Sequence, residues 1–375
     1  MADIIRATRA CIHLESLKAN LENIRNAVPG NTAICAAVKA NAYGHGVLPV
    51  AETLRSAGVE VLGVSSAFEG EELRKAGDEG RILLFGPTVP EEISLSITSG
   101  LELMVTGESY LHSIENSLSL PAAGEPLRVH LKIDTGMGRV GCPPEKAVNL
   151  ARRISRHPQM ILAGTATHFP VADSRKPEDL RFTEKQIRLL NAVVEDIRSA
   201  GVNPGIIHAA NSGAIALSAH AAFGMIRPGI ALYGYGIPLK TGVPLKPVME
   251  LKTRITALKK VKKGTSVSYG RTWISPGNNW IATLPIGYGD GYSRRLSNRA
   301  EVLIAGKRYP LVGTICMDQT MVNLGEKTDI RPGDEVILFG PDPKGPDAGE
   351  LAEKAETIPY EITCGISARV PRVYS

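Results

Sequence analysis

The stretch Ile34-Cys35-Ala36-Ala37-Val38-Lys39-Ala40-Asn41-Ala42-Tyr43-Gly44-His45-Gly46 carries an apolar run into a lysine and then into a turn-forming segment. Residues 34–38 are apolar and few, as a fully buried strand requires, while Asn41, Gly44 and Gly46 mark the turn that follows. Lys39 therefore sits at a strand's carboxyl end. A lysine there either reaches water or is used, because a desolvated ε-amine gives up its proton and becomes a nucleophile toward aldehydes. A solvated lysine is the competing reading. The nearby Tyr43 and the glycine-rich turn suit an aldehyde cofactor that carries a phosphate and that the lysine holds as a Schiff base.

Working outward, the same texture recurs. Residues 6–14 alternate enough to be a strand, and Leu17, Leu21, Ile24 and Val28 follow at helical spacing. Apolar strand candidates then fall at 59–64, 82–85, 101–105, 127–133, 160–166, 206–209 and 225–227. Helical patterns lie between them, the clearest at 178–200 with Phe182, Ile187, Leu190, Val193, Val194 and Ile197. With the strand before Lys39 this gives eight βα units in about 230 residues, as a (β/α)8 barrel requires, and such barrels hold their chemistry at the carboxyl ends of the strands. Polar and ionisable residues do cluster there: Lys39 after the first strand, Lys132 and Asp134 at the fifth, His168 after the sixth, Asn211 and Ser212 after the seventh, Arg227 at the eighth. A doubly wound sheet would also explain the alternation, but it does not favour eight strands.

From about residue 245 the texture changes to alternating runs at 249–255, 281–284, 302–304, 321–324 and 336–339, separated by Gly, Pro and Asn, which is strand and turn composition. Pro238, Gly242, Pro244 and Pro247 supply the boundary. The expectation is an α/β chain with a barrel over residues 1–243 and a mainly β domain over 244–375, in which residues 1–14 contribute a joining strand.

A chain of 375 residues with 43% hydrophobic content can bury two cores. The net charge of +5 is mild, and no Lys/Arg cluster is interleaved with aromatics, so nucleic acid is not an expected partner. Met1-Ala2-Asp3-Ile4-Ile5-Arg6 lacks the apolar core of a signal peptide and no later run is long enough for a bilayer, so no membrane is expected and the location reads as cytoplasmic. Cys11, Cys35, Cys142, Cys316 and Cys364 are widely spaced, without a CxxC pair or a histidine at zinc-finger spacing, and read as reduced packing residues with no metal.

Beyond Lys39, Leu131-Lys132-Ile133-Asp134-Thr135-Gly136-Met137-Gly138-Arg139 ends a strand and sets Arg139 past glycines that let a backbone approach a ligand. A Lys132–Asp134 ion pair is the alternative. A lone histidine such as His168 is more often a satisfied core group, and its strand-end place argues otherwise. Ala210-Asn211-Ser212-Gly213-Ala214 begins a short helix, and Ile226-Arg227-Pro228-Gly229-Ile230 closes the last strand. Helix-start amides with a serine hydroxyl make a phosphate cradle at the loops after strands seven and eight of a barrel, against the plainer reading of a serine cap and a Pro-Gly turn. Tyr269, in Ser266-Val267-Ser268-Tyr269-Gly270, is by itself a packing or surface residue, since free tyrosine is a poor base.

These motifs, in matching order along nearly the whole chain, resemble those of alanine racemases. The resemblance implies that Lys39 holds pyridoxal 5'-phosphate, with Tyr43, Arg139, His168, Asn211, Ser212, Arg227, Gly229, Ile230 and Tyr360 around the cofactor. It implies that Arg227 faces the pyridine nitrogen, and that Lys132 is carbamylated and orients Arg139. It makes Tyr269 the second catalytic base, supplied by the partner subunit of a homodimer with shared sites. Tyr288, in Gly287-Tyr288-Gly289-Asp290-Gly291-Tyr292, becomes an entrance gate, and Cys316-Met317-Asp318-Gln319 the piece that, with Arg139, meets the substrate carboxylate. The implied reaction is interconversion of L- and D-alanine by two bases, supplying D-alanine for cell-wall peptidoglycan. Thr314 departs from the pattern, standing where many members carry an arginine. A pyridoxal-phosphate carrier would lack the β domain, and a basic amino-acid decarboxylase would release carbon dioxide.

Overall fold

The structure is a computed structural model, and it describes residues 6–118, 125–217 and 221–375. Parallel strands β2 (Ala33–Ala37), β3 (Val61–Val64), β4 (Arg81–Leu84), β5 (Glu102–Val105), β6 (Leu127–Lys132), β7 (Met160–Ala166), β8 (Ile206–His208) and β9 (Met225–Ile226) follow β1 (Arg9–Ile12), and β2 to β9 close into one barrel. Closure is made by β9 against β2, with Met225 opposite Ala33. Runs such as Val-Leu-Gly-Val in β3 and Glu-Leu-Met-Val in β5 are buried at every position, because a parallel barrel strand faces side chains on one side and helices on the other. The eight-strand barrel expected from the apolar runs is therefore present, with ends shifted by a residue or two.

The helix expected over 178–200 is present as Pro177–Ser199, though not every apolar residue of its pattern is inside. In the helix Pro177–Ser199 the buried positions are Thr183, Gln186, Leu190, Val193, Val194 and Ile197, while Phe182 is 38% exposed. The reason is local chemistry at the barrel mouth. Gln186 turns inward because its carboxamide donates to Thr135 Oγ1 and to the His168 carbonyl, both at 3.1 Å, and Phe182 lies over Gly136, where an added Cβ would come within 2.8 Å of the ring.

The rest of the chain is mainly β. Strands β10 (Met249–Arg254), β11 (Ala257–Val261), β12 (Ser266–Val267), β13 (Trp273–Ile274), β14 (Asn279–Leu284), β15 (Glu301–Ile304), β16 (Lys307–Pro310), β17 (Thr320–Gly325), β18 (Glu335–Phe339) and β19 (Arg372–Tyr374) are joined by helices Ala348–Ala355 and Pro359–Cys364. They form a six-stranded sheet in the order β16-β15-β18-β10-β1-β19, a three-stranded sheet β11-β14-β17 and the hairpin β12-β13. Within the larger sheet, β1 is antiparallel to β10 and parallel to β19, with Ala10 opposite both Leu251 and Arg372. Residues 1–5 of the stretch expected to supply this strand lie outside the described residues.

The segment between the barrel and this sheet is held by asparagines of the first helix, Leu14–Asn26. Asn20 donates to the carbonyls of Leu232 and Lys246 and accepts from the Lys246 amide, and Asn23 donates to the Val243 carbonyl at 2.8 Å. Each buried carboxamide is satisfied, that of Asn23 also accepting from the Thr241 hydroxyl, so the connection is fixed. Among the described residues no helix is long and apolar enough to cross a membrane.

Candidate active site

Lys39 follows β2 and opens a turn that sequence reasoning did not foresee. Ala40, Asn41, Ala42 and Tyr43 all have left-handed backbones, with φ of 53, 54, 52 and 55°. Left-handed geometry costs an L-residue about 1–2 kcal/mol, so a run of non-glycine residues must be held from outside. The Glu69 carboxylate accepts from the Ala40 amide at 2.7 Å, and the Asn41 side chain accepts from the Val47 amide at 2.7 Å. From below, the turn meets the helix Pro359–Cys364 so closely that a Cβ on Gly44 would lie 2.2 Å from the Thr363 carbonyl oxygen, and Arg372 Nε donates to the Gly44 carbonyl at 3.0 Å.

The lysine faces a cavity of about 170 Å³ lined by Ala37, Lys39, Tyr43, Phe85, Met104, Lys132, Arg139, His168, Asn211, Ser212, Arg227, Gly229 and Tyr360. Its cations dominate the electrostatics. Burial, and then the Arg139 guanidinium, draw the Lys39 amine below the ordinary lysine value, with Glu69 and Cys364 opposing. Lys132 is 5% exposed, and burial reinforced by Arg227 and Arg139 takes it well below the usual range. The alternative of a Lys132–Asp134 ion pair is not realised, because the Asp134 carboxylate instead accepts from the amides of Gly136 and Gly138 and shapes the glycine turn. His168 is pushed down to about 2 by burial and by Arg227, Lys132, Arg139 and Lys39 around it, so it is a neutral imidazole.

Arg227 is 7% exposed and burial lowers it to about 10, still a cation at neutral pH. Its Nη2 donates to the carbonyls of Thr167 at 2.7 Å and Ala209 at 3.0 Å and meets His168 Nδ1 at 3.3 Å, while Nη1 meets His208 Nδ1 at 2.7 Å. Across the cavity the amides of Gly229 and Ala231 converge on the Ser212 hydroxyl at 2.9 and 3.2 Å. Asn211 also lines the cavity, but its carboxamide is spent on the Phe169 carbonyl and on the Ala214 amide, as a cap of the helix Ser212–Leu217. Ile230 is buried and does not line this cavity, although it lies between Gly229 and Ala231 in the chain. Tyr43 stacks on Tyr233 with ring centroids 4.7 Å apart and lies 5.8 Å from the Tyr360 ring.

The other sequence-selected residues are not in this cavity. Tyr269 is 71% exposed and borders a separate hollow of about 460 Å³ with Lys259, Cys316 and Met321. Tyr288 and Met317 are exposed and linked through their backbones, the Tyr288 amide donating to the Cys316 carbonyl and the Gly289 amide to the Met317 carbonyl. Asp318 pairs with Arg369 at 2.7 Å.

Family models for the "Alanine racemase, N-terminal domain" and the "Alanine racemase, C-terminal domain" match residues 12–236 and 248–374. The chain belongs to the alanine racemase family. The alanine racemase of Treponema denticola is 44% identical over 99% of this chain and 98% of its own length, and that of Treponema pallidum is 42% identical over 98% of each. Among solved structures, the alanine racemase of Clostridium difficile 630 is 38% identical and superposes with a TM-score of 0.91 over 100% of this chain and 97% of its own. The Bacillus anthracis enzyme with bound L-Ala-P is 33% identical with a TM-score of 0.90, over 100% and 96%.

Within this alanine racemase fold, Phe85 and Met104 line the cavity although neither was singled out from the sequence. Their place at the ends of β4 and β5 was the available signal, but an apolar side chain there looks like any core residue. Thr314, the departure from the family pattern, is 5% exposed and donates to the Tyr269 carbonyl at 2.9 Å. It braces the backbone that carries the exposed tyrosine. Thr314→Val is expected to cost about 1 kcal/mol of stability, read by urea unfolding, and to lower turnover more than cofactor retention.

Proposed function

We propose that the chain interconverts L- and D-alanine with pyridoxal 5'-phosphate, using Lys39 and Tyr269 as bases on opposite faces of the substrate, and that the D-alanine serves cell-wall peptidoglycan. The observation that carries this reading is the convergence on one cavity of a strand-end amine with a lowered pKa, the buried Arg227 cation and the amides gathered at Ser212. The donor set fits the cofactor. The Ser212 hydroxyl hydrogen would be a donor to a phosphate, as would the Gly229 and Ala231 amides, which now meet the Ser212 oxygen and would have to turn from it; Tyr43 packs beside Gly229, with Tyr360 next to it. When bound, the cofactor would acidify the alanine Cα–H by drawing electrons into its ring.

The remaining work falls to the chain. Lys39, less readily protonated than an exposed lysine, can take a proton from one face and return it. His168 cannot serve as an acid, being neutral, and instead presents Nδ1 to Arg227. Arg139 makes no hydrogen bond or ion pair among the described residues and faces the cavity, so its fork is available to a carboxylate. Burial and the neighbouring Arg227 and Arg139 cations make the Lys132 amine less readily protonated, which favours its addition to carbon dioxide; the resulting carbamate would place a negative charge that both arginines attract.

Tyr269 enters through assembly. Its exposure, and its place in a hollow separate from the Lys39 cavity, support a homodimer in which each β domain closes the partner's barrel. Chiral chromatography of L- and D-alanine incubated with the loaded protein, run beside serine, lysine and arginine, tests the reading: equal conversion of alanine from both sides supports it, and carbon dioxide release without racemisation sinks it. Arg227→Glu is expected to slow racemisation by on the order of 10²–10³ and to raise the pyruvate formed per racemisation, because an anion opposite the ring nitrogen strengthens the electron sink. Normal racemisation with no extra pyruvate would remove Arg227 from this role.

A further inference from the structure

Behind Arg227 a single file of hydrogen bonds crosses the barrel interior. Arg227 Nη1 meets His208 Nδ1 at 2.7 Å, His208 Nε2 meets His130 Nδ1 at 2.9 Å, and His130 Nε2 meets Glu102 Oε2 at 2.8 Å. Arg227 follows β9 and His208 ends β8, whereas His130 lies within β6 and Glu102 opens β5. The strands are parallel, so the file runs from the mouth that holds the candidate site to the opposite mouth. Both imidazoles are 0% exposed and Glu102 is 3% exposed. Space for the His130 ring comes from Gly164, where a Cβ would lie 2.4 Å from Nδ1.

The chemistry allows one direction only. Arg227 is a donor without an acceptor, and an ionised carboxylate is an acceptor without a donor. Burial alone would raise the Glu102 pKa, but hydrogen bonds from His130 and Arg81 carry it down to about 2, and Arg128 adds a further contact at 3.0 Å, so it is ionised. His130 must then carry its proton on Nε2, which leaves Nδ1 bare. His208 must donate to that nitrogen from Nε2, which leaves its own Nδ1 bare toward Arg227. A second proton on either ring is disfavoured by burial, which lowers both histidines, and it would set donor against donor. Arg227 has no carboxylate in contact among the described residues; the nearest end of its hydrogen-bond file that carries a negative charge is Glu102.

We propose that Glu102 and His130 are positioning residues for Arg227. The carboxylate at the far mouth fixes both histidine tautomers, and these present a bare nitrogen that anchors one arm of the guanidinium. With Nη2 spent on Thr167, Ala209 and His168, Nε and the second Nη1 hydrogen have no acceptor among the described residues and remain for a ligand. This rests on the reading that Arg227 faces the cofactor ring nitrogen.

The test has two parts. Protein labelled with 15N-histidine, without cofactor, is expected to show His130 and His208 protonated on Nε2 only; a proton on Nδ1 of His208, or on both of its nitrogens, overturns the proposal whatever the enzyme's activity. In Glu102→Gln the amide can donate to His130 Nε2 and reverse both tautomers, so His208 presents N–H to Arg227. That variant is expected to shift the His208 proton to Nδ1, to lower kcat at least tenfold with KM for alanine within twofold, and to raise pyruvate per racemisation as Arg227→Glu does. His130→Leu, which cuts the file with an apolar side chain of similar bulk, should raise the same ratio, and it decides the matter if Glu102→Gln does not fold. A merely structural role would slow racemisation and pyruvate formation together, and an unchanged ratio in a folded variant overturns the proposal. If the loaded wild-type protein does not racemise alanine, the functional reading fails while the tautomer measurement still stands.

Discussion

Lys39→Ala is expected to lower racemisation of alanine by on the order of 10⁴, and to abolish fixation of pyridoxal by borohydride. Lys39 is at the end of a barrel strand, in a turn pinned by Glu69 and Asn41, and no other lysine of the cavity is so placed: Lys132 is more deeply buried and surrounded by Arg227 and Arg139. Mass spectrometry of the reduced wild-type protein should therefore find the label on the peptide containing Lys39. Label on Lys132 instead would exchange the roles of the two lysines.

The second large effect is recovery rather than loss. Tyr269 is exposed and lines a different hollow from Lys39, so a shared site requires that the two bases come from different chains. Lys39→Ala and Tyr269→Phe proteins, each nearly inactive, are dissociated, mixed equally and reassociated. Half of the dimers are then mixed, and each mixed dimer has one site with both lesions and one intact, so roughly a quarter of wild-type sites should return. Mixing verified by mass with no activity recovered would place both bases in one chain and defeat the dimer reading.

The barrel was legible because each of its strands is a short apolar run buried on both sides, and because ionisable residues at strand ends have few other reasons to recur. The same rule brings Lys39, Lys132, His168 and Arg227 to one mouth, where they line one cavity. It failed where chemistry leaves no mark on composition. Nothing in Ala40-Asn41-Ala42-Tyr43 announces a left-handed run, since the groups that hold it, Glu69, Thr363 and Arg372, are distant in sequence. Strands such as β11, Ala-Leu-Lys-Lys-Val, are partly solvated, and their lysines hide the alternation. Tyr269, Tyr288 and Met317 were selected by resemblance alone, because an exposed side chain carries no burial pattern that sets it apart from ordinary surface.

The placing of β1 between β10 and β19 has a consequence for how the protein is made. β1 has neither of its sheet neighbours until β10 emerges some 240 residues later, and its other edge waits for Arg372 to Tyr374. The turn that carries Lys39 waits on the same late segment, through Thr363 and Arg372. The barrel can begin to collapse on the ribosome, since domains generally fold as units from the N-terminal side during synthesis. Lys39, however, is set in its turn only once Thr363 and Arg372 have emerged, more than 300 residues after it, so a nascent chain carries the amine long before it carries the cavity, and a ribosome stalled short of residue 363 displays a barrel whose first strand-end turn has no support.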